Sequence, residues 1–373
     1  MKVLIINWMD ITHPEAGGHF GAHEFAKRLV GLGHEVTILS YRYRGSRKRE
    51  VMDGIEIIRR GGKYTFNLAV FWAYFTKLRK DYDIIVEDLA KVPFYLPTFR
   101  KPKVAIAHHV FKGVYLKEVP LLLIPIIWLL TQKLMPLFYR KVPIIVHSMS
   151  TKNDLISIGI PEENIELVQL GLDHETYEPD SSVKSEKPSM VYLGRVKPYK
   201  NVDHAIKALA KVKEILPDAT LSIAGQGGSP ALYRKLQRLA QKLGVEDTVR
   251  FYGEVTTDEK VKLYQSAWVF VHPSSKEGWG NTVIESNACG TPTVAYNVPG
   301  LRDSIRNEET GILVPYGDIE GLAQALSRVL SDPELRERLS QNSLKWASNF
   351  TWDRAAGVLE RVLEAALNGK SPR

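Results

Sequence analysis

The chain has 373 residues, more than one hydrophobic core usually holds and enough for two. Hydrophobic residues make up 44% and charged residues 25% of the sequence, which indicates a soluble globular protein rather than a low-complexity chain. The single cysteine, Cys289, excludes a disulfide framework and a cysteine-based metal site, and fits a reducing cytosol.

The net charge of +8 lies entirely in the N-terminal half. Residues 1–172 contain 24 Lys and Arg against 16 Asp and Glu, whereas residues 173–373 contain 26 of each. A cluster at 41–49 (YRYRGSRKR) contributes to the excess. Such a basic half favours an anionic membrane surface or a phosphorylated acceptor as partner, although a solvated basic loop fits the cluster equally well. No base-stacking motif accompanies it, so nucleic acid is not expected.

Short β-branched runs alternate with amphipathic stretches from the N-terminus onward. The first run turns polar after a few residues, which indicates a β-strand and not a signal peptide. Amphipathic stretches at 19–32 and 68–79 predict helices. The predicted strands of the first half are 3–7, 35–40, 55–60, 83–88, 103–108, 143–148 and 165–170. Such alternation predicts a doubly wound parallel sheet, which binds ligands at the carboxyl ends of its strands.

The stretch 119–130 (VPLLLIPIIWLL) is wholly apolar but shorter than the roughly 18–20 residues of a membrane span. Pro120, Pro125 and Pro136 also disfavour a straight spanning helix. Two interpretations remain, a buried helix or an interfacial helix at a bilayer surface. The charge excess of this half favours the second.

A polar stretch at 171–188 interrupts the pattern and predicts a linker. Alternation then restarts, and three helices close the chain, the last at 353–367. The predicted strands of the second half are 190–194, 220–224, 249–252, 268–272, 293–296 and 311–314. Helices are predicted at 202–216 and 231–243 and from about 281. The chain is therefore expected to form two doubly wound Rossmann-like domains whose strand ends face one interdomain cleft.

A loop at 194–200 (GRVKPYK) joins a predicted strand to a helix. Arg195 and Lys200 would project from this strand end, where two cations suit a diphosphate leaving group. A basic surface loop is an equally simple interpretation. A second flexible loop, with Gly225 and Gly227, follows the next strand and could touch phosphate or base.

A second strand-to-helix loop spans 277–285 (EGWGNTVIE). Gly278 and Gly280 let backbone approach a ligand. We expect Asn281 or Thr282 to cap the following helix, whose first N–H groups would face an anion. Two carboxylates complete this motif. Glu277 would accept hydrogen bonds from sugar hydroxyls, and Glu285, one turn into the helix, from the two ribose hydroxyls.

Two further features follow strands of the first half. Gly17 and Gly18 open helix 19–32 but do not form the dinucleotide fingerprint, and no acidic residue clearly ends strand 35–40. A dehydrogenase is therefore disfavoured. His108 and His109 come directly after residues 103–107 of the predicted strand. One of the two is expected to face the cleft and to donate to a phosphate or sugar oxygen, and metal binding by the pair is not expected.

Taken in order, these motifs resemble the retaining glycosyltransferases of family 4, which have the GT-B fold. The similarity covers nearly the whole chain, and the two glutamates eight residues apart are its most specific part. It implies that Arg195 and Lys200 bind the donor diphosphate. The loop from Gly278 through Trp279, Gly280, Asn281 and Thr282, with Gly225 and Gly227, would line the donor site. Glu277 would contact the donor sugar and Glu285 the ribose.

The resemblance also assigns the domains. Residues 1–172 would bind the acceptor, with Gly17 and Gly18 as a loop that approaches phosphate and His108 as the cleft histidine. Residues 173–188 would be the linker, 189–350 the nucleotide-sugar domain, and 351–373 a helix that crosses back to the first domain. Asn201 and Asp303 depart from the family pattern, so no role is assigned to them.

The function expected from these features is transfer of a hexose from UDP- or GDP-hexose, with retention, to a glycan or lipid-linked acceptor. No metal-binding cluster follows a predicted strand, so neither metal nor cofactor is expected. Localisation is expected in the cytoplasm, with association at the inner face of the membrane. Two alternatives remain open, a nucleotide-sugar 2-epimerase of the same fold and a non-catalytic protein that binds sugar nucleotides or anionic lipid.

Overall fold

A computed structural model describes residues 1–13, 20–89, 93–95, 101–109 and 124–370, without the side chains of 77–79. The chain divides into two compact units. Unit 1 comprises Met1–Gly171 together with Trp352–Arg373, and unit 2 comprises Leu172–Thr351. Each unit has its own twisted sheet covered by helices, and both are Rossmann-like, as the alternating pattern predicts.

Unit 1 contains an eight-stranded sheet in the order β3-β4-β2-β1-β5-β6-β7-β8. Its strands are β1 Lys2–Ile6, β2 Glu35–Ser40, β3 Arg49–Met52, β4 Ile55–Arg59, β5 Ile84–Asp88, β6 Lys103–Ala107, β7 Ile144–Val146 and β8 Ile165–Leu167. All neighbours pair in parallel except β3 and β4. Most residues of the central strands are buried, because helices cover both faces of the sheet.

Strand β3 is a strand of unit 1 that the sequence pattern did not predict. It overlaps the end of the basic cluster at 41–49 and pairs antiparallel with β4 at the sheet edge. Its side chains alternate between exposed and half-buried positions, so it lacks the apolar run by which the other strands were recognised. The end of this basic segment is therefore part of the sheet and not only a loop.

The helices of unit 1 connect successive strands. They are α1 Phe20–Gly31, α2 Phe66–Ala73, α3 Arg79–Asp81, α4 Ile124–Trp128, α5 Met135–Tyr139, α6 Met149–Ser157 and, at the end of the chain, α14 Trp352–Leu367. Two π-helical turns make longer rods of neighbouring helices. Tyr74–Leu78 joins α2 to α3, and Leu129–Leu134 joins α4 to α5. No helix in the described part of the chain is both long and apolar enough to span a bilayer.

A buried ion pair ties the carboxyl ends of three neighbouring strands of unit 1 together. Arg59, the last residue of β4, donates from Nε and Nη2 to the two oxygens of Asp10 at 2.7 and 2.8 Å. Ser40, which ends β2, donates to the same carboxylate at 2.6 Å. Burial opposes ionisation of Asp10, but these donors outweigh it and lower the pKa to about 2. This pair fixes the direction of the chain after β1.

The final helix, α14, packs on α1 within unit 1. Arg28 contacts Asp353 at 3.0 Å, and His34 contacts Glu360 at 2.8 Å. The ring of Trp352 lies edge-on to Phe25 with centroids 5.5 Å apart. The amphipathic helix therefore buries its apolar side against the first helix of the chain.

Unit 2 contains a six-stranded, all-parallel sheet in the order β11-β10-β9-β12-β13-β14. Its strands are β9 Ser189–Leu193, β10 Thr220–Ala224, β11 Val249–Gly253, β12 Val269–His272, β13 Thr293–Tyr296 and β14 Gly311–Val314. Its helices are α7 Val202–Val212, α8 Pro230–Lys242, α9 Thr257–Ser266, α10 Asn281–Ala288, α11 Leu301–Ser304, α12 Ile319–Ser331 and α13 Pro333–Ala347.

The polar segment at 173–188 lies on unit 2 and is held there by backbone contacts. Lys184 donates to the carbonyl of Ala267 at 2.9 Å, and the indole of Trp268 donates to the carbonyl of Ser185 at 2.7 Å. Only one turn of 3-10 helix, Ser181–Val183, forms within it. The segment is thus irregular, as its composition predicts, and these hydrogen bonds hold it to unit 2.

Candidate functional site

The predicted donor residues of unit 2 follow two strands that lie side by side at the middle of the sheet. From β9 the chain winds outward to β10 and β11, and from β12 it winds in the opposite direction to β13 and β14. The point between β9 and β12 is therefore the topological switch point, where such sheets bind ligands at the strand ends. Lys200 belongs to the loop after β9, and Glu277 to the loop after β12.

Lys200 and Glu277 form an ion pair at this point. The Lys200 ammonium donates to Oε1 of Glu277, and the two side chains are only 10% and 16% exposed. A lysine and a glutamate at this depth are rarely found unpaired, because each would lose its hydration. The pair therefore brings together two residues that the sequence analysis assigned separately to phosphate and to sugar.

The charges around Glu277 keep it ionised. Burial alone would raise its pKa, but the Lys200 ammonium and the nearby His272 lower the pKa of Glu277 to about 2. His272 ends β12, and its Nε2 lies 3.7 Å from Oε1 of Glu277. Burial lowers the pKa of His272 to about 4, so this imidazole is neutral at pH 7. The site thus presents one carboxylate and one ammonium above a neutral ring.

Hydrogen bonds hold the two loops against each other. The Asn201 side chain donates to the carbonyl of Pro273 at 2.9 Å, and the Ser275 amide donates to the carbonyl of Tyr199 at the same distance. Asn201 has a φ of +49°, in the left-handed region that asparagine tolerates better than most residues. The sequence analysis gave Asn201 no role. The structure shows that it connects the Lys200 loop to the Glu277 loop.

Arg195 lies on the open side of the same loop. Its guanidinium is exposed and donates to the Tyr199 hydroxyl at 3.0 Å, and the Lys200 ammonium lies 5.3 Å from the centre of the Tyr199 ring. The two cations thus contact the same tyrosine. The sequence analysis did not predict Tyr199 as a site residue.

Glu285 is held by two partners on the neighbouring helix α9. Lys260 contacts Oε1 at 3.0 Å, and the Tyr264 hydroxyl donates to Oε2 at 3.1 Å. The Lys260 ammonium also lies 5.0 Å from the centre of the Tyr177 ring. Glu285 is 14% exposed, so its carboxylate is oriented by its neighbours while one edge stays open to solvent.

The start of α10 differs from the prediction. The helix begins at Asn281 with Gly280 as its N-cap, and no side chain caps it, so capping by Asn281 or Thr282 is wrong. Gly280 has a φ of +95°, which suits a glycine. Trp279 is buried, with its ring centroid 5.3 Å from that of Phe350. Gly278 and Thr282 are half-buried, and Asn281 is exposed.

Three glycines allow the loops to pack closely. A β-carbon on Gly225 would lie 1.9 Å from the carbonyl oxygen of Gly194, and one on Gly300 would lie 2.4 Å from that of Glu277. Gly227, with a φ of +89°, lies beside the Lys197 side chain. Asp303, the second departure from the family pattern, accepts from the Gly300 amide at 3.0 Å and so supports the Glu277 loop.

The remaining predicted residues belong to unit 1. His108 follows β6, and its Nε2 lies 3.1 Å from Asp88 at the end of β5. Burial opposes protonation, but the Asp88 carboxylate outweighs it and raises the pKa of His108. His109 is half-buried beside it. Gly17 and Gly18 lie outside the described residues. In the described ranges, no group of three or more His, Cys, Asp or Glu side chains could hold a metal ion.

His272 and Lys260 are two neighbours of the predicted residues that sequence reasoning missed. His272 carried a usable signal, because it is the last residue of a predicted strand next to the 277–285 motif. Lys260 carried none, since it lies on a separate helix and meets Glu285 only through the packing of α9 on α10.

We expect the Lys200–Glu277 pair to make the stability of unit 2 depend on acidity. Because the pKa of Glu277 is lowered to about 2, the pair stabilises the folded state fully above the ordinary glutamate pKa, and this contribution is lost as pH falls toward 2. At pH 6 the melting temperature of Glu277→Gln should lie roughly 5–10 °C below that of the parent, and this difference should shrink steadily down to pH 3.

Calorimetry over this pH range is the measurement, and Glu254→Gln, which removes an exposed carboxylate of unit 2, is the control. A difference between parent and Glu277→Gln that stays constant with pH would show that Glu277 is not held as an ion.

Two family models match consecutive parts of the chain. Residues 17–176 match Glycosyltransferase Family 4, and residues 173–346 match Glycosyl transferases group 1. D-inositol 3-phosphate glycosyltransferase from Salinispora arenicola is 33% identical over an alignment of 229 residues, and the match covers 56% of this chain and 51% of that protein. The chain thus spans about half the length of the curated relatives it matches.

The fold matches solved structures over nearly the full length. Sucrose-phosphate synthase from Thermosynechococcus elongatus superposes with a TM-score of 0.79 at 23% identity, covering 98% of this chain and 99% of that one. HepE from Anabaena, solved with UDP and glucose, superposes with a TM-score of 0.78 at 18% identity, covering 98% of this chain and 100% of that one. With both family models matched in chain order and the two-sheet architecture shared, the protein belongs to the family 4 glycosyltransferases of the GT-B fold.

Proposed function

We propose that the protein transfers a hexose from a UDP- or GDP-hexose to an acceptor hydroxyl, with retention of configuration. The observation that carries this proposal is the buried pair of Lys200 and Glu277 at the switch point of unit 2, with Arg195 beside it. A cation for the departing diphosphate and a carboxylate for the sugar hydroxyls are then in contact before any substrate binds. Such preorganisation stabilises charge in the transition state.

In the proposed reaction, the bond between the anomeric carbon and the diphosphate oxygen breaks, and its electron pair leaves with the phosphate. Arg195, Lys200 and the first N–H groups of α10 stabilise this negative charge. The acceptor oxygen bonds to the anomeric carbon from the same face and gives its proton to the leaving phosphate. Glu277 binds the sugar hydroxyls, and Glu285 accepts hydrogen bonds from the two ribose hydroxyls.

The role that the resemblance gives to His108 remains a prediction. A histidine whose pKa is raised by Asp88 carries a proton more often than an ordinary one at pH 7, which suits a donor to phosphate or sugar oxygen. The proposed mechanism uses no metal ion, so chelation by EDTA should leave transfer unchanged.

The proposed acceptor is a glycan or a lipid-linked molecule, and the basic N-terminal half would associate with an anionic membrane surface. The charge excess of residues 1–172 and the apolar segment at 119–139 support this part of the proposal.

A thermal-shift screen of nucleotide diphosphate sugars tests the donor assignment, followed by product analysis with membrane lipid extract as acceptor source. UDP-glucose is the first candidate, because HepE, which shares the fold, was also solved with it. The proposal expects stabilisation by UDP- or GDP-sugars and weaker binding by Arg195→Ala. Equal binding of nucleotide diphosphate by parent and Arg195→Ala would contradict the phosphate assignment.

The same samples separate the two alternatives. Turnover of a nucleotide sugar to its epimer without any acceptor would identify an epimerase. Sugar-nucleotide binding without turnover, unchanged in Glu277→Ala, would identify a binding protein.

A further inference from the structure

Large apolar side chains are exposed on two helical rods of unit 1, the α2–α3 rod and the α4–α5 rod. On α2, Leu68 and Trp72 are 73% and 70% exposed, and their spacing of four residues places them on one side of the helix. On the second rod, Ile126, Trp128 and Leu137 are 55%, 48% and 74% exposed. We call the exposed surface of these two rods the two-helix face.

Both rods cover the same face of the unit 1 sheet. Helix α2 packs on Leu4 and Ile85, and α5 packs on Ala105 and Ile144. Leu4 pairs with Ile85, and Ala105 pairs with Ile144 across β6 and β7. Paired residues of neighbouring strands point to the same side of a sheet, as do residues two apart along a strand.

Glu87 completes the connection between the two halves of this face. It lies two residues after Ile85 on β5 and pairs with Ala105 on β6, so all the contacted residues share one side of the sheet. Its carboxylate accepts from the Tyr139 hydroxyl of α5 at 2.5 Å and from the amide of Phe94 at 2.6 Å. Phe94 in turn packs against Phe66 of α2, with ring centroids 5.4 Å apart.

Cations outnumber carboxylates on and around the two rods, whose helices contain one acidic residue, Asp81 at the end of α3. The sequence contains no Asp or Glu in residues 57–80 or 119–153. Among the described side chains of these stretches, the exposed cations are Lys63, Lys80, Lys133, Arg140 and Lys141. In unit 2 the exposed large apolar residues, such as Ile215 and Tyr252, are scattered on separate elements. Exposed apolar side chains and an excess of cations therefore occur together on the two rods and their flanks.

We propose that the two-helix face binds the surface of an anionic lipid bilayer, with Leu68, Trp72, Ile126, Trp128 and Leu137 inserted among the headgroups. Tryptophan and long aliphatic side chains favour this depth, and lysine and arginine favour anionic headgroups. Apolar residues scattered singly over a surface need no partner, whereas several exposed apolar side chains grouped on two rods and flanked by cations mark an interaction site. This inference specifies the membrane association included in the proposed function.

Neither rod inserts across the bilayer in this arrangement. Each also buries one side against the sheet, through residues such as Phe66 and Val70 on α2 and Tyr139 on α5. The rods are therefore fixed parallel to the lipid surface, and only their outer side chains are available for insertion.

Vesicle co-sedimentation with the full chain tests the proposal. The parent should bind vesicles of phosphatidylcholine with phosphatidylglycerol at least about tenfold more tightly than vesicles of phosphatidylcholine alone, and added salt should weaken binding. Leu68→Ser/Trp72→Ser and Ile126→Ser/Leu137→Ser should each weaken binding at least about tenfold, because each pair removes two inserted side chains. Ile215→Ser/Tyr252→Ser, which removes exposed apolar residues of unit 2, should bind like the parent.

Tryptophan fluorescence gives a second readout that does not depend on removing apolar surface. The chain contains seven tryptophans. Trp72 and Trp128 are exposed, and the other five are half-buried or buried. Brominated anionic lipid should quench the parent, and most of this quenching should disappear in Trp72→Phe/Trp128→Phe, which still binds.

Failure of the parent to bind anionic vesicles, or binding unchanged in both serine pairs, would overturn the inference. So would a parent dimer that becomes monomeric in the serine pairs, since a second copy would then cover the face. Stabilisation by nucleotide sugar, measured on the same variants, keeps the two proposals separate. A serine variant that loses vesicle binding but is still stabilised by nucleotide sugar would show that the two-helix face acts in membrane binding and not in donor binding.

Discussion

Replacing Lys200 with alanine is expected to lower kcat/KM for glycosyl transfer by roughly a hundredfold or more, because the cation nearest the departing diphosphate is lost. The change also leaves Glu277 buried without its partner, and an uncompensated buried charge costs about 3–5 kcal/mol of stability. Initial rates with a saturating acceptor, together with the melting temperature, measure the two effects.

A double variant separates these effects. Lys200→Ala/Glu277→Gln removes both charges, so its stability should recover toward that of the parent while transfer stays low. Lys207→Ala is the matched control, because Lys207 lies on the next helix and pairs with Asp203 near the surface. Transfer by Lys200→Ala at the parental rate would show that the pair is structural only.

Replacing Glu285 with alanine is expected to raise KM for the sugar nucleotide roughly 30- to 150-fold with a much smaller change in kcat. Hydrogen bonds to an ionised group contribute about 2–3 kcal/mol, and the ribose lies away from the bonds that change, so ground state and transition state lose the same interaction.

One further variant tests whether a neighbour of Glu285 acts through it, and a second serves as the control. Lys260→Met should raise KM by a smaller factor, since it releases one carboxylate oxygen without removing the carboxylate. Glu254→Ala, an exposed glutamate of unit 2, should have parental kinetics. A fall in kcat at constant KM for Glu285→Ala would place this residue at the reacting centre instead of at the ribose.

The fold could be predicted from the sequence because buried parallel strands have a strong pattern. Strands such as Lys2–Ile6 and Thr220–Ala224 are short β-branched runs between amphipathic helices, and buried parallel sheets require such runs. Arg49–Met52 was missed for the opposite reason. An antiparallel edge strand needs only one buried side, and its few half-buried residues resemble a loop.

The residues of the candidate site were predictable individually, but their pairings were not. Strand-end position and chemistry single out Lys200 and Glu277, yet they are 77 residues apart, and only the adjacency of β9 and β12 brings them together. Asn201 shows the limit more sharply. Nothing in the sequence indicates its left-handed backbone or its hydrogen bond to Pro273. The sequence analysis therefore noted Asn201 only as a departure from the family pattern, although it connects the two loops.

The apolar segment at 119–139 gives a mixed result. Residues 119–123 lie outside the described residues, and the part that is described buries one side and exposes the other. Of the two interpretations, a wholly buried helix is therefore wrong for Ile124–Tyr139. The sequence did not indicate that Phe66–Ala73 exposes a second apolar side on the same face of the sheet, since only strand register relates the two.

The position of α14 has a consequence for biosynthesis. Unit 2 is contiguous, whereas unit 1 needs residues from both ends of the chain. A ribosome therefore releases the apolar side of α1 well before Trp352–Leu367 is available to cover it. Unit 2 can complete its core during this interval, but the first unit to begin synthesis is the last that can finish folding.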